Sequence, residues 1–250
     1  MFESTVRATG ELGMRFLNGV GGVNPIINYS NMKNDKTPVA LDILVLGANG
    51  GIGRQAVEIA LGAGHRVTAL LRNPANLSIS QAGLAVVKGD ILLPETFERC
   101  LEGKDAVISA IGVRSNGPTM LYSEGNRNLL TAMSKMGVRR AFFISASALE
   151  ISPVLPLYVR LAEKYIVQRI LRNMYADLRI MEELVKKSDT DWTIMRPPRL
   201  TDKPVTGRYR VAVNDFLKNC LSISRADVAH FMVNNIGNEE MFKGMVEIGY

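Results

Sequence analysis

Three glycines spaced G-x-x-G-x-x-G, in Gly47-Ala48-Asn49-Gly50-Gly51-Ile52-Gly53, are the residues of this chain best suited by type and spacing to a chemical task. Lacking a Cβ, Gly47 permits a tight turn and Gly50 lets the backbone approach a pyrophosphate. Gly53 lets the following helix sit against the preceding strand. A helix beginning at Gly51 points free N–H groups and the positive end of its dipole at the phosphates. The task is therefore dinucleotide binding. Arg54 directly follows the last glycine, and Arg72 ends the next apolar run, Arg66–Leu71. An NAD-specific site places an acid there to take both ribose hydroxyls; this chain has Leu71-Arg72-Asn73-Pro74. Two guanidiniums suit a 2′-phosphate, whose oxygens they can bind in charge-assisted pairs. NADP(H) is favoured over NAD(H), the alternative being two solvated surface arginines.

Positioning these groups requires alternating strands and helices. Leu41–Leu46 is apolar apart from Asp42, as a strand buried on both faces must be. A helix from Gly51 to about Ala63 leads through Gly64-His65 into a second strand, Arg66–Leu71. A third strand, Leu84–Lys88, a short helix, Pro94–Leu101, and a fourth strand, Asp105–Ile111, follow. Met120–Met136 repeats apolar residues at helical spacing, Arg140–Ser145 is a fifth strand, and Leu157–Val185 is mostly helical. Trp192–Met195 is a sixth strand, stopped by Pro197-Pro198. Ser224 and Asp227 form a capping pair for a last helix, and Met245–Ile248 closes as an edge strand. Such alternation predicts an α/β protein with a doubly wound parallel sheet, the Rossmann fold. It places one NAD(P)-binding domain over residues 38–250 behind an N-terminal arm, residues 1–37. The arm, with a short amphipathic helix expected over Thr5–Leu17, either packs on the domain or pairs subunits into a homo-oligomer.

In such a sheet the ligand lies beyond the carboxyl ends of the strands, at the point where strand order reverses. Besides Gly47–Gly53 and Arg72, that rule nominates Asp90, Ile91, Ala110, Ile111, Gly112, Ser145, Ser147, Pro197 and Pro198. Asp90 either accepts from the adenine amine or caps the next turn. Ala110 and Gly112 are small, as backbone beside a ribose should be. Ser145 and Ser147 end the central fifth strand, where the nicotinamide would lie, and Ser147 is the candidate for orienting an acceptor.

The 250 residues allow one large domain with a full core. A net charge of +6 with no basic run interleaved with aromatics does not indicate nucleic acid; an anionic cofactor and small anionic molecules account for the excess more simply. Cys100 and Cys220 stand alone, which fits the cytoplasm, and no apolar run approaches the roughly 18 residues needed to span a bilayer. No cluster has metal-ligand spacing. His65 lies in a turn away from the nicotinamide end, and His230 sits beside Phe231 within the last helix.

The chain resembles the NAD(P)H-binding group of atypical short-chain dehydrogenase/reductases, typified by biliverdin reductase B, or flavin reductase. The resemblance runs from about Leu41 to Tyr250. It rests on the glycine turn, Leu71-Arg72, Gly89-Asp90, Asp105–Ile108, Ser123–Asn128, Asp191–Pro198, Thr206–Tyr209 and Ile223–Ala229. It implies that Arg72 binds the 2′-phosphate, that Gly112–Ser115 flanks the ribose and substrate cleft, and that Pro197-Pro198 abuts the nicotinamide. Two departures stand out. The short-chain dehydrogenase pattern Tyr-x-x-x-Lys occurs only as Tyr29–Lys33, in the arm; Tyr158 is followed four later by Ala162, Tyr165 by Arg169 and Tyr175 by Arg179. Tyr175 with Arg179 is the substitute pair to consider, although arginine holds its proton too tightly to join a relay. The histidine of biliverdin-reducing members aligns with Glu182, which argues against tetrapyrrole reduction. These features predict an NADPH-dependent reductase that passes hydride to a planar, delocalised acceptor such as a flavin, quinone or azo compound, with water as the proton source. The rival reading is a non-catalytic NADP(H)-binding sensor or assembly factor whose arm meets a partner.

Overall fold

The computed structural model describes residues 26–28, 39–113 and 117–250. The expected helix Thr5–Leu17, the Tyr29–Lys33 pair and the loop residues Arg114 and Ser115 lie outside the described residues. The strands are β1 (Ile26–Asn28), β2 (Asp42–Leu46), β3 (Arg66–Leu71), β4 (Leu84–Lys88), β5 (Ala106–Ser109), β6 (Arg140–Ile144) and β7 (Asp191–Arg196). They continue as β8 (Arg199–Thr201), β9 (Arg208–Val213), β10 (Ser222–Ser224) and β11 (Gly244–Gly249). Nine of them form one sheet in the order β1-β9-β11-β7-β6-β5-β2-β3-β4, and β10 pairs with β8 in a separate two-stranded ribbon. From β4 across to β11 every pairing is parallel; β9 and β1 are added antiparallel at the far edge. The chain builds outward from β2 to β4, then returns to place β5 on the other side of β2. That reversal is the switch point.

Strand periodicity feeds two cores. Ile43 and Val45 of β2 pack with α1 (Gly51–Gly62) and the last helix, while Leu44 and Leu46 face Leu129, Met133, Leu178 and Met181 on the opposite side. Those four belong to α2 (Leu121–Met136) and to a later helix, Arg172–Lys186. β5 and β6 alternate likewise, Ile108 and Phe142 on one face and Val107 and Phe143 on the other. Each such large side chain contributes about 1.5–3 kcal/mol on burial, enough to fix the register on both faces at once.

Between β6 and β7 the polypeptide is helical, in pieces. They are α3 (Leu157–Ala162), a π-helical segment (Glu163–Val167), α4 (Gln168–Ile170) and α5 (Arg172–Lys186). The last helix, α6 (Arg225–Asn234), completes the set, and among the described residues no helix is long and apolar enough to cross a membrane. Pro94–Leu101 forms two 3-10 turns rather than one helix, and the fourth strand stops at Ser109 because Ala110 packs its carbonyl against the glycine turn.

Two expectations need correction. Met245–Ile248 is no edge: β11 lies inside the sheet, between β7 and β9. β9 itself escapes a sequence reading because Arg208 and Arg210 alternate with its apolar residues, the pattern of a half-solvated strand. The capping pair at α6 is only half formed. Ser224 Oγ accepts from the Asp227 N–H at 2.9 Å, but the Ser224 N–H donates to Tyr250 Oη instead of to Asp227. The fully buried Asp227 carboxylate accepts from Thr206 N, Thr206 Oγ1, Gly207 N and Tyr250 Oη, tying the loop ahead of β9 to α6.

Candidate functional site

A long cleft runs along the carboxyl ends of the parallel strands, from Arg72 and Asp90 past the glycine turn to Ser147, Pro197 and Tyr175. At its centre the turn's glycines are structurally required. Gly47 has φ +74°, and a Cβ there would stand 2.3 Å from Ala110 O. A Cβ on Gly53 would stand 2.2 Å from Gly47 O, so strand and helix approach as only glycine allows. Gly50 is the N-cap of α1 with no side-chain cap, and the first turn carries no acid. The leading N–H groups are thus open to an anion, with the helix dipole behind them. A Cβ on Gly112 would meet open space up to Tyr122 Oη at 3.9 Å, leaving room for a ribose beside the backbone. These residues fit a dinucleotide.

Other nominated residues fall on both sides of the line. Asn49, Gly51, Ile52, Arg72, Asp90, Ile91, Ala110, Ile111, Gly112, Ser145, Ser147, Pro197 and Pro198 all line the cleft. Arg72 is exposed beside Asn73 and Asn76, free to meet a 2′-phosphate. Asp90 Oδ1 accepts from Leu92 N at 3.0 Å, so it does cap the next turn, at the cleft wall. Arg54 does not line the cleft: it pairs with Glu58 at 3.0 Å on the outer face of α1, a helix turn that carries it away from the phosphate end. Ala48 is fully buried in the core beneath the turn, so its contribution is packing. Ser145 donates its hydroxyl hydrogen to Glu182 Oε1 at 2.6 Å, which leaves its side chain only an acceptor's role toward a ligand.

Glu182 belongs to a buried network. It takes the Arg196 guanidinium at 2.9 and 2.6 Å, and Arg196 also reaches Glu150 at 2.8 Å. Burial pulls the Arg196 pKa down, but the hydrogen bonds and charge of Glu182, joined by Glu150, outweigh it and hold the guanidinium charged. This network braces the end of β7 just before Pro197, whose carbonyl accepts from the Ser147 N–H at 3.1 Å. Ser147 is thereby held at the mouth of the acceptor end.

Tyr175 is buried in the wall of that end, and burial, reinforced by the negative charge of Glu163, pushes its hydroxyl up to about 12. Arg179 is turned to Leu149 O at 3.2 Å. The pair is therefore the reverse of a tyrosinate held ready by arginine. Neither histidine lines the cleft: His65 Nδ1 accepts from Leu41 N, and His230 Nδ1 meets Tyr209 Oη at 2.9 Å. No group of His, Cys, Asp or Glu able to hold a metal occurs among the described residues.

Sequence reasoning missed two charged groups at the cleft. Arg225, the first residue of α6, lies over Gly51, where its Cδ stands 2.2 Å from a would-be Cβ, and its guanidinium pairs with Asp202 at 2.6 Å. It adds positive charge beside the α1 N-terminus; its place in the Ser224–Asp227 motif was the only available signal. Glu163 lines the acceptor end from the π-helical segment. Beyond Ser147 the wall is apolar, made by Ala148, Val159, Ala162, Val167, Leu171 and Met174.

Comparisons with known proteins agree with this geometry. The profile of a family described as NAD(P)H-binding matches residues 47–239. The photosystem II assembly factor Ycf39 of Synechocystis is 33% identical over 132 residues, half of this chain. A (4-alkanoyl-5-oxo-2,5-dihydrofuran-3-yl)methyl phosphate reductase of Streptomyces griseus is 30% identical over 155 residues, 62% of this chain. The chain spans 40% of the length of the first and 46% of the second. Among solved structures, a wide-type short-chain dehydrogenase/reductase from Veillonella parvula, in complex with NADP, superposes with TM-score 0.68 at 18% identity. The alignment covers 85% of this chain and 95% of that one. The anaerobilin reductase ChuY of Escherichia coli O157:H7 gives TM-score 0.66 at 21% identity over 83% and 96% of the two chains. At these identities the structural likeness shows the fold alone.

Proposed function

This chain belongs to the NAD(P)H-binding family, and we propose that it is an NADPH-dependent reductase passing hydride to a planar acceptor such as a flavin, quinone or azo compound. The observation that carries the reading is the continuity of the cleft: the nucleotide half runs without a break into an apolar wall at Ser147, Val159, Leu171 and Met174. A bound reduced nicotinamide would supply the hydride. The protein's part is positioning: apolar side chains hold a flat acceptor and exclude water, while the Ser147 backbone, pinned to Pro197, fixes the floor. Arg72, exposed at the other end, supports NADPH over NADH. Arg72→Ala should weaken NADPH about ten- to hundredfold and leave NADH nearly unchanged, since a charged hydrogen bond contributes about 1.5–3 kcal/mol. Equal affinity of the unmodified protein for both nucleotides would overturn the preference.

A second reading is favoured by the Ycf39 relatives, whose name describes an assembly factor. On it, the same site binds NADP(H) without turnover and reports redox state to a partner. NADPH oxidation with FMN, menadione and an azo dye separates the two. Turnover well above the protein-free rate with any of them supports the reductase; tight binding with none supports the sensor. The two unbridged cysteines, Cys100 and Cys220, suit a reducing compartment such as the cytoplasm. Pairing of subunits through the arm would use the outer edge of β1.

A further inference from the structure

Behind Ser147 lies a small cavity lined by Ser152, Leu155, Glu163, Leu217, Cys220 and Glu247. Ser147, Glu163 and Cys220 also line the nucleotide cleft, so the cavity adjoins its acceptor end. Its polar inventory is unusual. Glu163 Oε2 is buried without a hydrogen-bond partner among the described residues, and so is the hydroxyl of Ser152, which is 5% exposed. An ionised carboxylate oxygen left without a donor there would forfeit its solvation for nothing. A neutral carboxyl avoids that cost, and the Glu163 side chain also borders the acceptor end of the cleft. The segment bearing it, Glu163–Val167, is the π-helical interruption of the long helical stretch, and such interruptions re-aim side chains at functional sites.

We propose that Glu163 is the proton donor to the reduced acceptor. The inference rests on the reductase reading and completes it. Hydride adds its electron pair to one atom of the acceptor, leaving negative charge on a conjugated oxygen or nitrogen. The Glu163 O–H bond breaks as an O–H or N–H bond forms at that atom. The resulting carboxylate regains a proton from solvent through the cleft. Among the described residues no ion pair holds Glu163 in its charged form. Tyr175 from α5 and Cys220 ahead of β10 are both uncharged at neutral pH, their pKa values pushed to about 12. Glu247 from β11 is itself raised to about 7 by burial, its carboxylate accepting from Leu217 N, with Arg196 and Glu150 behind it. Lys164, next to Glu163, directs its ammonium over the Tyr165 ring. Burial raises Glu163 as well.

The test is Glu163→Gln, which keeps shape and volume but has no proton to give. With menadione as acceptor, kcat should fall about 10²–10⁴-fold, the range a positioned acid supplies. NADPH affinity should stay within threefold. The unmodified protein should lose activity as pH rises through the carboxyl's pKa, and that limb should vanish in the variant. Independently of turnover, the infrared spectrum of the NADP+-bound protein should show a protonated-carboxyl band that Glu163→Gln removes. If the unmodified protein turns over and Glu163→Gln keeps its rate and pH profile, the proton-donor role fails while the reductase stands. If no acceptor supports turnover in the unmodified protein, the reductase reading falls and this role with it. Loss of NADPH binding or of the folded circular-dichroism spectrum in Glu163→Gln, with no carboxyl band in the parent, would show a structural residue and overturn the proposal.

Discussion

The two halves of the sheet solve different problems with different atoms. From β2 to β5 the cleft is made by backbone: Gly47, Gly50 and Gly53 bring main chain to where phosphates would lie, and the charged side chains there, Arg72 and Asp90, sit at the surface or half-buried. From β6 to β11 it is made by side chains, and the buried charge is concentrated there, in Arg140, Asp227, Glu182, Arg196 and Glu247. Backbone recognition needs only a few residues with no Cβ and tolerates little variation around them. A buried polar network needs many partners from distant elements, each costly to leave unpaired. The nucleotide half is thus rigid by geometry and the acceptor half by hydrogen bonding.

That contrast can be broken first at Gly53→Ala. Its Cβ would enter the backbone of Gly47 at 2.2 Å. Overpacking against atoms that cannot yield costs about 1–3 kcal/mol or more, and the displaced turn should raise the NADPH Kd by about a hundredfold or more. Calorimetric titration that finds unchanged affinity would show that the turn is not held as described. The second probe is electrostatic. Glu247 holds its proton in the folded state up to about pH 7 against an ordinary 4.5. Protonation thus contributes stability that is complete below about pH 4.5 and lost as pH rises to about 7. Over that window Glu247→Gln should remove a decline on the order of 2–3 kcal/mol. Urea denaturation of both proteins at several pH values reads the difference; parallel curves would contradict it. The smallest effect should be that of Arg54→Ala. Because Arg54 is occupied by Glu58 away from the cleft, NADPH affinity should change by no more than about twofold, as suits an exposed pair worth about 0–1 kcal/mol. A tenfold loss would return Arg54 to the nucleotide site.

Legibility followed the same division. The glycine turn, α1 and strands β2 to β4 were readable within a residue or so, because apolar runs and missing side chains are local signals. Arg72 was readable as a strand-end charge. Arg54 was not, because only the turn of the helix decides which way its side chain leaves. On the acceptor side the long helical stretch was legible as helix, but nothing local marked the π-helical turn that carries Glu163. Ser145 read as a ligand and proved to serve Glu182, 37 residues away in the chain. Asp227 read as a cap and proved to be the knot joining Thr206, Gly207 and Tyr250. Such partners meet only after the sheet is assembled.

The position of β11 gives assembly an order. It follows every other strand in the chain, yet lies between β7 and β9 rather than at an edge. Neighbours in sequence can build the nucleotide half early, each βα unit docking on the one before it. β7 and β9 show open edges until Gly244–Gly249 arrives, and pairings across such sequence separations are slow to form. Glu247 arrives on that same strand. A nascent or partly unfolded chain therefore gains its nucleotide seat before its acceptor side, and it is most exposed to edge-to-edge aggregation in the interval between the two.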